Sequence, residues 1–288
     1  MKSVETALMD THNPKPYKLS SVKPAMIYMK KLAGGEFNDL DFLLDRKVID
    51  EKLGGYAVST RRTIIFTIMN VARAMKRHDI MDLYDEDRKH AEKRTDVRGE
   101  KTEKQKENWM TWDEIIAKRD ALRDSSTADK QMQYVALSLY TMVPPRRNRD
   151  YAEMDIKNRL TKSLPKTRNY LVVNKSKMRF VFNVFKTDQN YGQQVVAVPK
   201  DLEAVLRRYI GMLENKTGPL FGTGVSSTFM TRLLNSALGG NVGSSMLRHI
   251  FISHFTSAED KAVIERMFNT ADAMAHSVGT QQGTYRKD

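Results

Sequence analysis

No cysteine occurs among the 288 residues. Disulfides, thiolate metal sites and cysteine nucleophiles are therefore excluded, and the composition fits an intracellular protein. No apolar run approaches the roughly 18 residues of a membrane span. The N-terminal stretch lacks the apolar core of a secretory signal. Glycine-rich phosphate loops of the Walker type are missing, so nothing implies nucleotide hydrolysis. Internal repeats are also absent. Acid is scarce relative to base: 48 Lys and Arg stand against 35 Asp and Glu, a formal net charge of +13. The isoelectric point is about 9.7. Such a surplus favours a polyanionic partner, nucleic acid above all, and says nothing about fold.

The length allows two ordinary domains. Residues 1–16 are polar, carry Pro14 and Pro16, and are expected to form a flexible arm. Between 20 and 31 the pattern turns helical, with Met26, Ile27, Met29 and Leu32 among lysines, and Gly34-Gly35 closes it. Residues 40–49 read as a second short helix. Ser59 or Thr60 can cap a third, whose Ile65, Ile68, Met69 and Ala72 fall at helical spacing. Arg62 and Arg73, three turns apart, share a face beside that stripe. An all-α N-terminal domain over 17–84 follows. Residues 85–108 mix both charges with almost no apolar anchor, as a solvated helix or an open linker would.

The remaining residues, 109–288, read differently. Thr111 and Glu114 have capping-box spacing, and 132–142 is an apolar helix. Three short strands are expected at 170–173, 180–185 and 195–198, with turns at 174–178 and 186–192. Their order favours an antiparallel meander. Pro199-Lys200-Asp201 opens a helix with Leu202, Val205, Leu206 and Tyr209 on one face. Ser226 or Ser227 caps another ending near Leu238, and two more cover roughly 244–255 and 258–269. The fold class is thus mainly α with a small antiparallel β-sheet: an all-α N-terminal domain plus an α+β C-terminal domain.

The positive charge is uneven. Residues 156–187 hold nine Lys and Arg and no acid, and 11–35 hold five lysines and no acid. One-sided charge in both domains is what contact with one phosphate backbone requires. The interleaved Tyr170, Phe180, Phe182 and Phe185 read as sheet core.

Cleaving a phosphodiester without metal needs an in-line nucleophile. It also needs cations on the non-bridging oxygens and a proton for the leaving oxygen. Arginine suits the clamp because its planar fork meets two oxygens and stays charged. Three segments carry such groups. The first is Thr141-Met142-Val143-Pro144-Pro145-Arg146-Arg147-Asn148-Arg149-Asp150. The second is Ser245-Met246-Leu247-Arg248-His249. The third is Met274-Ala275-His276-Ser277, with Tyr285 nine residues beyond His276. In this pattern the chain resembles the tyrosine recombinases, similar to the integrases of phages and mobile elements, from about Lys15 to Tyr285. The Pro-Pro-Arg-Arg wording resembles integrases of virophages and related elements of large DNA viruses.

The resemblance implies the roles. The first arginine box of the family reads Thr-Gly-x-Arg-x-x-Glu; setting Asp150 on its acid places the catalytic arginine at Arg147, with Arg146 the rival. A lysine in a β-turn of the sheet protonates the leaving oxygen: Lys186 is chosen, with Lys175 and Lys177 as alternatives. The second box reads His-x-Leu-Arg-His, so Arg248 matches the second arginine. Ser245 stands where the family has histidine, and serine is no base near neutral pH; His249 and His254 are candidate substitutes. His276 matches the Leu-Gly-His-Ser box and Tyr285 the nucleophile. The resemblance further implies a core-binding N-terminal domain, a catalytic C-terminal domain, double-stranded DNA with two recombination sites, and a homotetramer. Neither metal nor cofactor is implied, and no membrane. A 3′-phosphotyrosine topoisomerase, a telomere resolvase and a DNA-binding remnant without catalysis are the alternatives.

Overall fold

Two apolar clusters, each drawn from one part of the chain, organise the computed structural model. It describes residues 3–10, 17, 19–92, 100–175, 177–274, 278–280 and 282. The chain divides into two compact units, Met1–Glu100 and Lys101–Asp288. The division falls within the charged segment 85–108. The described residues are mainly helical with a small mixed sheet, and no described helix is long and apolar enough to cross a membrane.

The first unit contains α1 (Val4–Asp10), α2 (Leu19–Ala33), α3 (Arg46–Gly54), α4 (Val58–Ala74), α5 (His78–Leu83) and α6 (Asp85–Glu92). Helix α4 is its axis. Ile64, Ile65, Ile68, Met69, Val71 and Ala72 are buried on one stripe, as the 3.6-residue period requires. Met29 and Leu32 of α2, Ile49 and Leu53 of α3 and Tyr84 close over that stripe. Ile68 is wholly buried whereas Val58 is 73% exposed. Ile68→Ala is therefore expected to cost about 2–5 kcal/mol, and Val58→Ala less than about 0.5 kcal/mol. Denaturant unfolding followed by circular dichroism would measure both.

Three local expectations are corrected in this unit. The stretch expected as an arm contributes α1, whose Val4, Ala7 and Leu8 are buried; Pro14 and Pro16 masked a short apolar period before them. The single helix expected at 40–49 is a 3₁₀ turn, Asp41–Leu44, followed by α3. Asp45 separates the two and caps α3 by accepting from the Val48 N–H at 3.2 Å. Helix α4 starts at Val58, behind Ala57, without a side-chain cap, so neither Ser59 nor Thr60 serves as one. Of the charged segment, 85–92 is helical and tied to α3 through Arg46, which pairs with Asp87 at 2.6 Å and lies over the Tyr84 ring.

The second unit begins with α7 (Glu103–Asn108), α8 (Trp112–Ala121), α9 (Ala128–Thr141) and α10 (Asn148–Ala152). The expected capping box on α8 is present: the Glu114 N–H donates to Thr111 Oγ1 at 3.2 Å, and the Thr111 N–H donates to Glu114 Oε2 at 2.7 Å. Helix α9 is buried along most of its length and forms the spine of the larger core. Against it lie α12 (Lys200–Met212) and α13 (Ser227–Leu238). Helix α14 (Ser244–Phe255) adds Leu247 and Ile250 to the core, and α15 (Ala258–Ala273) follows.

The sheet has strands β1 (Asp155–Lys157), β2 (Tyr170–Val173), β3 (Met178–Phe182), β4 (Gln194–Ala197) and β5 (Gly218–Pro219), in the order β4-β3-β2-β1-β5. The meander β2-β3-β4 is antiparallel, with Leu171 opposite Phe180 and Phe180 opposite Val196. The sheet as a whole is mixed, not antiparallel, because β1 runs parallel to β2 and β5 antiparallel to β1. Those two strands are three and two residues long, too short to show alternation. One sheet face presents Phe180 and Phe182 to Tyr151 of α10. On the other face Tyr170, Val172 and Val181 form a separate cluster under Leu164 of the β1–β2 loop. The β3–β4 turn holds one short helix, α11 (Asp188–Tyr191). It ends at Gly192, whose φ of +65° lies in the left-handed region that favours glycine.

Candidate active site

The order Pro144-Pro145-Arg146-Arg147 leads the chain in an extended path from the end of α9 to the start of α10. Arg147 is the N-cap residue of α10, at φ −76° and ψ 150°. The next residue locks that helix start in place. Asn148 is buried, accepts from the Tyr140 hydroxyl at 2.7 Å and donates to Thr231 Oγ1 at 2.8 Å and to the Ser227 carbonyl. Helices α9, α10 and α13 are thereby joined at one side chain.

The two adjacent arginines then diverge. Arg146 is fully committed. Its Nε donates to Asp150 Oδ2 at 2.8 Å and its Nη1 to Gln194 Oε1 at 2.8 Å. Its guanidinium lies 3.9 Å from the Phe182 ring centroid. Arg147 makes no ion pair among the described residues. It lines a cleft of about 200 Å³ together with Arg146, Asp150, Phe185, Tyr191 and Arg248. Arg248 comes from the second turn of α14 and donates only to the Ser244 carbonyl of its own helix, at 3.2 Å.

Two guanidinium groups without ion-pair partners thus face one small space. Burial lowers the Arg248 pKa, and the neighbouring Arg147 charge lowers it further, against Tyr140 and Asp150. Like charges held together cost free energy unless an anion joins them. Asp150 is the one carboxylate lining the cleft. It is 2% exposed, and its Oδ1 has no hydrogen-bond partner among the described residues. Burial raises its pKa from the ordinary carboxylate value, opposed by Arg146, Arg147 and Arg248.

A charged Asp150 repels an anion in the cleft. Affinity for a small anion such as sulfate is therefore expected to fall as pH rises through the raised Asp150 pKa, and Asp150→Asn to flatten that dependence. Calorimetric titrations with sulfate at a series of pH values check this. The folding sign is the same: the cost of burying the charge is absent below the unfolded carboxylate pKa and sets in as pH rises through the folded one.

The cleft brings Arg147 and Arg248 together from segments a hundred residues apart in sequence. Lys186 is exposed in the β3–β4 turn, between the cleft-lining Phe185 and Thr187. Lys175 and Lys177 belong to the other turn, between β2 and β3. Ser245 is exposed one turn before Arg248 on α14 and does not line the cleft. His249 is exposed. His254 stacks on Trp112, with ring centroids 5.9 Å apart, which gives it a packing role. His276 and Tyr285 lie outside the described residues.

Gln194 and Asn148 escaped the sequence reading. One orients Arg146 and the other the start of α10, and neither amide carries a motif signal. A larger cleft, of about 450 Å³, lies in the first unit among Arg46, Arg61 and Arg62. There Arg46 is already neutralised by Asp50 and Asp87, and these two carboxylates line the cleft beside the arginines and His90. The smaller arginine cleft is the better anion site. No protein-family model matches the chain, and no curated protein is significantly similar to it.

Proposed function

We propose that this protein is a site-specific DNA recombinase of the tyrosine type, which cuts and rejoins duplex DNA through a 3′-phosphotyrosine. The observation that carries the reading is the pair of arginines, Arg147 and Arg248, without ion-pair partners in one cleft. A phosphodiester is the anion that this reading places between them.

The Tyr285 hydroxyl attacks phosphorus and gives up its proton to water, from which Lys186 is later reprotonated. The bond to the 5′ oxygen breaks, and that oxygen leaves as a hydroxyl with a proton from Lys186. Arg147, Arg248 and His276 hold the non-bridging oxygens as charge builds on them. A 5′-hydroxyl from a second duplex then attacks the phosphotyrosine and releases Tyr285. The ester keeps the bond energy, so no nucleotide is consumed. Exchange of two duplexes takes four cleavages, and the proposed assembly is a tetramer. The helical first unit serves as the core-binding domain and the second as the catalytic domain.

Ser245, in place of the family's histidine, favours one second reading, a DNA-binding protein that no longer cuts. Nicked suicide duplexes drawn from the ends of the protein's own element separate the two. Incubated without added metal and run on a denaturing gel, they should yield a covalent protein–DNA adduct whose modified peptide contains Tyr285. Tight binding with no adduct on any such duplex would favour the second reading. Relaxation of supercoils without strand exchange would favour a topoisomerase.

A further inference from the structure

Each cleft arginine is linked, through one neighbouring residue, to Thr231 of α13. Arg147 is followed by Asn148, whose Nδ2 donates to Thr231 Oγ1 at 2.8 Å. The Arg248 Nε donates to the carbonyl of Ser244, and Ser244 follows Gly243, the N-cap residue of α14. The Thr231 methyl faces that glycine: a Cβ at Gly243 would lie 3.7 Å from Thr231 Cγ2, ordinary van der Waals contact. One side chain therefore stands between the starts of α10 and α14, with its hydroxyl toward the first and its methyl toward the second.

Thr231 is itself held. While accepting from Asn148, its hydroxyl donates to the Ser227 carbonyl one turn earlier, at 3.1 Å, and a bond of that kind selects the threonine rotamer in a helix. The other Asn148 Nδ2 hydrogen goes to the same carbonyl at 3.1 Å. Asn148 Oδ1 accepts from the Tyr140 hydroxyl at 2.7 Å. Tyr140 is fully buried, and burial lifts its pKa well above the usual phenol value, so that hydroxyl stays a donor. A buried network with every member satisfied rigidifies what it joins. Arg147 and Arg248 repel each other, so their separation has to be set by what holds their supports.

We infer that Thr231 is a positioning residue: it sets the spacing between the Arg147 and Arg248 guanidinium groups, and so the fit of a tetrahedral oxyanion between them. This deepens the reading above and rests on the arginine cleft being an anion site. Threonine suits the place because one Cβ carries both the hydroxyl for α10 and the methyl for α14.

Two substitutions cut one link each. Thr231→Val keeps the methyl toward Gly243 and loses the bond to Asn148. Thr231→Ser keeps that bond and loses the methyl. Sulfate affinity is measured by calorimetry on the full chain for each, alone and combined with Arg147→Ala or Arg248→Ala. A denaturant curve for each variant records any cost in folding separately. Each Thr231 variant is expected to weaken sulfate binding about fivefold alone, and less than about twofold beside either arginine substitution, where no spacing is left to set. A structural role alone would lower affinity by the same factor in every background. That result, or unchanged affinity in both single variants, would overturn the inference.

Sulfate binding needs neither DNA nor cleavage, so the two readings separate. Coupling between Thr231 and the arginines without an adduct on any suicide duplex keeps the positioning role and removes the recombinase. An adduct without coupling removes the role of Thr231 and leaves the recombinase standing.

Discussion

Tyr285→Phe is expected to abolish the covalent adduct, with a loss on the order of 10⁴-fold or more, while DNA affinity stays within about twofold of the parent. The substitution removes one oxygen and nothing else. Without that oxygen no phosphorus–oxygen bond to the protein can form. The clamp and the phosphate contacts that hold the duplex are untouched, so binding and chemistry separate. The described residues supply the control. Tyr191 lines the arginine cleft and is 69% exposed, so it is the tyrosine that geometry alone would nominate. Tyr191→Phe should leave the adduct intact. If the adduct survives in Tyr285→Phe and disappears in Tyr191→Phe, the nucleophile has been misassigned and the reading from the C-terminal motif falls.

Arg147→Ala is expected to slow cleavage by about 10²–10³-fold and to leave thermal stability nearly unchanged. Arg147 has no ion-pair partner to abandon, and its loss relieves the repulsion felt by Arg248. Arg146→Ala should behave in the opposite manner. It removes the stack on Phe182 and the bond to Gln194. It also leaves the buried Asp150 carboxylate without its cation. A loss of about 2–4 kcal/mol is expected, discounted because the Arg146 side chain is partly exposed. Single-turnover cleavage and denaturant unfolding on the two variants give a two-by-two comparison. A stable, inactive Arg146→Ala beside an unstable Arg147→Ala would exchange the roles. Arg147→Lys should recover only part of the rate, because an ammonium cannot bridge two phosphate oxygens in one plane.

Which arginine of the cleft is left without an ion-pair partner could not be read from the sequence. Arg146 and Arg147 are chemically alike and adjacent. What separates them is Phe182 and Gln194, supplied by strands far along the chain. The meander was legible because β2, β3 and β4 carry apolar residues bounded by polar turns, and the Thr111–Glu114 box because capping is a local hydrogen-bond exchange. Strands β1 and β5 were not legible, since their existence depends on pairing with each other and with β2. Helix α1 was obscured by the two prolines that follow it. Asn148 gave no signal, because a buried amide joining three helices is defined only by what surrounds it.

The β1–β5 edge also has a consequence for the order in which the protein is completed during synthesis. Asp155 meets Pro219 only after β2, β3, β4, α11 and α12 have been made, and closing so long a loop costs chain entropy. The first unit is built from successive helices and short turns, so its contacts form early and locally. A growing chain therefore carries a finished helical unit well before its second unit closes. Arg147 and Arg248 emerge on opposite sides of that closure. The anion cleft is absent until Arg248 has left the ribosome, and a half-made copy lacks the paired arginines that define it.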